Sequence, residues 1–226
     1  MEQMIRSIAR IENDYTTKFG VPRQSGLVPA LRSRIVFEGE YRDPEALRGI
    51  EGFSHLWLIW GFSEVPAGKW SATVRPPRLG GNRRLGVFAT RSPFRPNALG
   101  LSCVRLEAVQ TLPELGPVLE VSGADLMNGT PIFDIKPYLP YADVIQDAAG
   151  GFAAEAPQPL ALDFPAPLLE QVPPEKRASL MGVLRLDPRP PYQNDPERVY
   201  TMTFGDQDIR FTVRDDTLHV VAIKEL

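Results

Sequence analysis

The sequence predicts a mainly β protein, with a single-sheet β-barrel in its N-terminal part and a small α+β unit behind it. Three observations point there. The 226 residues include 23 prolines and 18 glycines, a density of breakers that leaves little room for long helices. The apolar residues come in short β-branched or aromatic runs, such as RIVF at 34–37 and FSHLWLIWGF at 53–62. Turn residues recur between those runs at strand-like spacing, the pattern of a sandwich or barrel. With 43% hydrophobic residues the chain can also bury a substantial core.

Each element follows from local pattern. Ile5–Ile11 alternates partly and reads as a strand, as does Arg34–Phe37. Between them GVPRQSGLVP, residues 20–29, is a loop stiffened by Pro22 and Pro29. Pro44–Gly49 predicts one helical turn, with Asp43 as N-cap and Pro44 at the first position. Phe53–Phe62 is a buried strand by its length and aromatic content. RPPRLGGN, 75–82, is a turn region flanked by strand candidates at Leu85–Thr90 and, beyond an Arg/Pro segment, Ala98–Val109. Pro117–Ser122 and Ile132–Ile135 are further strands, and Asn128–Gly129 reads as a hairpin turn between them. The Ala- and Pro-rich stretch 148–173 predicts a linker or loosely packed crossover between a domain at 1–147 and one at 174–226. In the latter, Pro174–Leu184 predicts a helix with Gly182 as its weak point. Tyr200–Phe204, Asp208–Val213 and Leu218–Ile223 alternate as strands, joined by turns at Gly205–Asp206 and Asp215–Asp216.

The net charge of −3 conceals an asymmetry: residues 69–105 carry Lys69, Arg75, Arg78, Arg83, Arg84, Arg91, Arg95 and Arg105 with no acid among them. Such a block predicts anionic partners, namely phosphate, carboxylate or a nucleic-acid backbone. No apolar run is long enough for a membrane span, and the N-terminus lacks the apolar core of a signal peptide, so the expected location is cytoplasmic. Cys103 is the only cysteine and the two histidines are far apart, which argues against a His/Cys metal site. GxGxxG after a strand, the P-loop and GxSxG are all missing, which disfavours a Rossmann nucleotide site and a hydrolase elbow.

Two segments carry candidate chemistry. In TRSPFRPN, 90–97, Pro93 and Pro96 fix the backbone, so a ligand contacting it orders little new chain. Arg91 and Arg95 can each grip a carboxylate or phosphate through paired hydrogen bonds; the competing reading is a rigid turn with solvated arginines. In NGTPIFDIKPY, 128–138, Asp134 and Lys136 share a strand face. They form either a structural ion pair, or a site in which Asp134 accepts a proton. His55 reads first as a satisfied core residue, Arg23 and Gln24 as surface residues, and Trp57 and Trp60 as residues that fill the barrel or a subunit contact.

Together the segments FGVPRQSGLV, LRGIEGFSHLWLIWGF, TVRPPRLGGNRRLGVFATRSPFRPNALGLS and NGTPIFDIKPYLPYAD resemble the TsaA-like family, in particular its bacterial tRNA methyltransferases. DPRPPYQNDPERVYTMTFGDQDIRFTV is similar to that family's second domain. The resemblance implies a β-barrel that binds S-adenosyl-L-methionine without a Rossmann fold and methylates N6 of N6-threonylcarbamoyladenosine, 3′ of the anticodon. It implies a homodimer acting on the tRNA anticodon stem-loop. Carried onto this chain, the cofactor pocket comprises Pro22, Arg23, Gln24, Ser54, His55, Arg91, Leu101, Asn128, Gly129, Thr130 and Pro131. Asp134, on its strand, is the candidate for activating the acceptor nitrogen. The family's usual Asp-Gly is here Asn128–Gly129. Against this stands a second class of function, a non-catalytic basic β-barrel that binds RNA or an anionic metabolite.

Overall fold

The structure is a computed structural model and describes residues 3–66, 68–190, 193 and 195–226. Six strands close into one ring. In chain order these are β1 (Ala9–Glu12), β2 (Arg32–Phe37), β3 (His55–Gly61), β6 (Leu99–Leu112), β7 (Gly116–Ser122) and β8 (Pro131–Pro137). The ring runs β1-β2-β7-β6-β3-β8 and returns to β1, with antiparallel pairing throughout. A ribbon of two short strands, β4 (Thr73–Val74) and β5 (Leu85–Gly86), lies within the basic block.

Strand alternation fixes the two faces of the ring. On β3, Leu56, Leu58 and Trp60 point inward and are buried, whereas His55, Trp57 and Ile59 point outward and are half-buried. The inward residues pack with Ile11, Ile35, Leu119, Val121 and Ile132 in the ring's core. Outward rows run across the sheet from β8 through β3 to β6: Asp134–Ile59–Leu101, then Lys136–Trp57–Cys103.

The second unit is a four-stranded sheet in the order β10-β11-β12-β9, comprising β9 (Ala161–Asp163), β10 (Tyr200–Phe204), β11 (Gln207–Arg214) and β12 (Thr217–Glu225). The helix Pro174–Arg185 packs on it through Leu180, Val183 and Leu184. Gly182 is required by close approach: a Cβ there would meet Val28 Cγ1 at 2.8 Å. Tyr15, Val28 and Leu31, from the N-terminal segment, are buried in this second core, so the loop before β2 ties the two units together.

Four local expectations change. Residues 85–90 are not one strand: β5 ends at Gly86 and a single 3-10 turn, Val87–Ala89, follows. Asn128–Gly129 is not a hairpin turn, because β7 and β8 are not neighbours in the ring. The turn instead ends a crossover and is pinned to β1 and the segment after it, with Gly129 N–H donating to Ile11 O at 2.8 Å and Asn128 N–H to Tyr15 O at 2.7 Å. The stretch 148–173 is not spacer alone. Its second half supplies β9, paired in parallel with β12, and a buried Val172. The first strand is also shorter than Ile5–Ile11, beginning at Ala9. By contrast, Asp43 Oδ1 accepts from Glu45 N–H at 2.9 Å and caps the 3-10 turn Pro44–Leu47.

Candidate ligand site on the outer face of the ring

A cavity of about 590 Å³ opens where β3 and β6 meet the loop that precedes β2. That is the size of a small-ligand pocket. Trp57, Ile59, Leu99 and Leu101 give it apolar walls; Pro22, Arg23 and Gln24 close one side, and Arg91 and Arg95 face it from the basic loop.

The two loop arginines do different work. Arg95 is spent on the loop itself: Nη1 donates to Thr90 O at 2.7 Å and Val87 O at 3.3 Å, and its guanidinium lies 5.9 Å from the centre of the Phe88 ring. Ser71 N–H donates to Phe94 O at 3.3 Å and braces the loop from outside. Arg91, exposed, donates to Gln24 Oε1 across the cavity mouth. Gln24 thus holds one arm of the Arg91 guanidinium, whose other N–H groups make no hydrogen bond among the described residues.

A third wall comes from an acid outside the motifs, Asp125, in the crossover after β7. Ser102 Oγ donates to Asp125 Oδ1 at 2.5 Å. An ionised carboxylate can only accept, so Ser102 is the donor of that bond, and its Oγ in turn accepts from Trp60 Nε1–H at 2.9 Å. Trp60 reaches Ser102 only because its partner across the ladder is Gly100, where a Cβ would overlap the indole. Burial pushes the Asp125 carboxyl above its ordinary range, opposed by the Ser102 hydrogen bond, backbone amides and the charge of Arg91. Cys103, next to the cavity, has its thiol raised by burial and then by Asp143, which makes it an inert thiol.

The raised carboxyl sets a pH-dependent stability. Below the ordinary carboxylate range Asp125 is protonated whether folded or unfolded. Between that range and its raised folded value the unfolded chain is ionised while the folded carboxyl keeps its proton, so stability falls across this window as pH rises and levels off above it. Asp125→Asn keeps an oxygen for Ser102 and removes that charge. The variant is expected to melt a few degrees above the parent at pH 8, with the gap closing toward pH 4. A variant melting lower at every pH would contradict the account.

Of the residues named from sequence, the cavity brings together Pro22, Arg23, Gln24, Arg91 and Leu101. Ser54, His55, the turn Asn128–Pro131 and Asp134 are not among its lining residues. Ser54 Oγ and His55 Nδ1 lie 2.9 Å apart at the far end of β3, where the imidazole packs edge-on against Tyr138. Asn128 Oδ1 accepts from Asn13 N–H at 3.0 Å, a bond that needs no charge, so Asn serves that contact as Asp would. Thr130 is buried beneath the turn. Asp134 occupies the outward row next to Ile59 and is paired with Lys136 Nζ at 3.0 Å.

Asp125, Ser102, Trp60 and Gly100 were missed from sequence as site residues. A signal existed for the acid: in VSGADLMNG it stands alone between Ala124 and Leu126, both buried. Among the described residues no cluster of three or more His, Cys, Asp or Glu could hold a metal ion, and no helix is long and apolar enough to cross a membrane.

Fold and cavity together define a mainly β protein with a closed six-stranded ring and an arginine-lined candidate pocket where β3, β6 and the loop before β2 meet. The chain belongs to the tRNA-methyltransferase O family: residues 10–144 match the model of its N-terminal domain and residues 157–226 that of the TrmO C-terminal domain. A tRNA (adenine(37)-N6)-methyltransferase of Escherichia coli (strain K12) is 41% identical over 226 residues, covering 96% of both chains. Another from Eikenella corrodens is 46% identical over 172 residues, 76% of this chain and 97% of that one. A solved structure of TrmO from Pseudomonas aeruginosa superposes with a TM-score of 0.79 at 32% identity, covering 99% of this chain and 100% of that one.

Proposed function

We propose that the protein transfers a methyl group from S-adenosyl-L-methionine to N6 of N6-threonylcarbamoyladenosine, 3′ of the anticodon in tRNA. The observation that carries this is the arginine-lined cavity in a member of this family. Its donor set suits the methyl donor: charged groups for an amino-acid end, and indole and aliphatic walls for a purine and a thioether chain. When bound, S-adenosyl-L-methionine supplies an electrophilic methyl on a sulfonium centre.

The chain's own residues do the rest. Arg91, aimed by Gln24, binds the carboxylate. Trp57, Ile59 and Leu101 exclude water from the apolar part of the site. Alignment is the main contribution such a site makes to a direct displacement. The acceptor nitrogen belongs to a urea-like group whose lone pair is delocalised, so its proton has to be drawn off. We assign that to Asp134, which shares the outward row with the cavity residues Ile59 and Leu101 and is held in place by Lys136. Asp134→Asn is expected to slow single-turnover methyl transfer about 100-fold at saturating donor. An unchanged rate would remove Asp134 from the chemistry.

In this reading the closed ring is a single-sheet β-barrel, and the exposed Arg75, Arg83 and Arg84 track the phosphates of the anticodon stem-loop. A tRNA substrate supports a cytoplasmic location. A homodimer fits the exposed Phe88, Phe94, Leu99 and Leu101, four apolar side chains on the basic loop and cavity rim. Sedimentation at micromolar concentration should return twice the 25.1 kDa chain mass, and a monomer would end the dimer reading. The test of function is incubation with methyl-labelled donor and tRNA, followed by nucleoside analysis. Label in a threonylcarbamoyladenosine nucleoside supports the reading. Donor and tRNA that both bind without transfer would make the protein a non-catalytic module.

A further inference from the structure

Among the described residues the cavity is lined by three arginines, Arg23, Arg91 and Arg95, and one acid, Asp125. A mostly buried acid that shares a cavity with arginines would ordinarily close on one of them. Here it does not. No ion pair joins Asp125 to Arg91 or Arg95 within 4.0 Å among the described residues. Each partner is restrained from elsewhere: Arg91 by Gln24, Arg95 by Thr90 and Val87 carbonyls, Asp125 by Ser102, and Ser102 by Trp60. The Trp60–Ser102 relay is itself buried, with Ser102 1% and Trp60 7% exposed. The carboxylate accepts from Ser102 and from the backbone amides of Ser25 and Asp125, so its hydrogen bonds are met and what it lacks is a counter-cation, which a ligand can supply.

We propose that Asp125 binds the α-ammonium of the methyl donor, so that Asp125 and Arg91 form a clamp for the two opposite charges of one α-amino-acid end. This rests on the reading of the cavity as the methyl-donor site. The chemistry of the ligand fits the wall. An α-amino acid carries its carboxylate and ammonium on one carbon, so a site that selects it needs an acid and a base that face one space without neutralising each other. A site for a plain carboxylate or phosphate would have no use for Asp125, whose charge would repel it. Burial, which makes the unliganded anion costly, also strengthens its attraction for a cation that enters with its own counter-charge. Gly100, Trp60 and Ser102 act through Asp125 as positioning residues.

The experiment is titration calorimetry on the full chain, wild type and Asp125→Asn, with three probes. These are S-adenosyl-L-methionine, S-adenosyl-L-homocysteine, and the S-adenosyl-L-homocysteine analogue in which hydrogen replaces the α-amino group. Circular dichroism and melting confirm that the variant is folded. Wild type should bind S-adenosyl-L-homocysteine about 10–100-fold more tightly than the deaminated analogue, the range expected of a charged hydrogen bond. Asp125→Asn should lose that preference while binding the analogue as wild type does. Equal weakening of all three probes would make Asp125 a support for the cavity and overturn the clamp. Loss confined to S-adenosyl-L-methionine would assign Asp125 to the sulfonium and overturn it equally. Undiminished preference in the variant would do the same. A wild type that binds none of the probes would overturn the cavity reading, and the clamp with it.

Discussion

Gly100→Ala is expected to destabilise the protein by about 1–3 kcal/mol, the usual cost of forcing an atom into a packed interior. Methyl-donor binding should fall with it. The added Cβ would overlap the Trp60 indole, which is buried, packs at 4.4 Å between ring centres against Phe62, and cannot swing out without opening a hole in the ring. Once displaced, Trp60 Nε1 leaves Ser102, and Ser102 no longer holds Asp125. One methyl group thereby reaches both the core and the cavity. Gly86→Ala is the matched control, since no heavy atom lies within 4 Å of an added Cβ and its φ is −59°. Thermal melting and tryptophan emission read both variants. If Gly100→Ala melts with the parent and keeps its emission maximum, the indole is not locked as described.

Arg91→Ala should weaken S-adenosyl-L-homocysteine binding by about 1.5–3 kcal/mol, or roughly 10–100-fold, the worth of a hydrogen bond to a charged group. Its melting temperature should stay that of the parent, because Arg91 is exposed and among the described residues its hydrogen bond is to Gln24. The two readouts together separate a ligand-binding arginine from a loop-building one. Arg95→Ala should show the opposite split, losing order in the loop whose carbonyls it gathers. Arg91→Lys should recover only part of the affinity, since an ammonium keeps the charge but not the two-pronged fork. Calorimetry showing an unaltered constant for Arg91→Ala would remove the residue from the site.

Much of the fold was legible because its signals are local. FSHLWLIWGF declares a strand by aromatic content, and the structure places β3 inside it. Pro173–Pro174 followed by a run of helix formers declares the helix, which extends one residue beyond the expected Leu184. What was illegible depends on which strands become neighbours. Asn128–Gly129 has the composition of a hairpin turn, but β8 pairs with β3 and β1, so the same residues end a crossover. Ala161–Asp163 is too short and too flanked by proline to read as a strand, and is one only because β12 offers an edge. The site divides in the same way. Arg91 and Gln24 stand in conspicuous proline-stiffened motifs and meet in space. Asp125 lies in a featureless stretch and matters through Ser102 and Trp60, which are 23 and 42 residues apart from their respective hydrogen-bond partners. No window on the sequence spans those separations.

The central claim is that the arginine-lined hollow where β3 and β6 meet the Pro22–Gln24 loop holds the methyl donor by its amino-acid end. A crystal structure of the protein with S-adenosyl-L-homocysteine tests it most directly. The account predicts the ligand carboxylate on the Arg91 guanidinium, with purine and thioether against Trp57, Ile59 and Leu101. Ligand density at any other place, with Arg91 turned to bulk water, would contradict it.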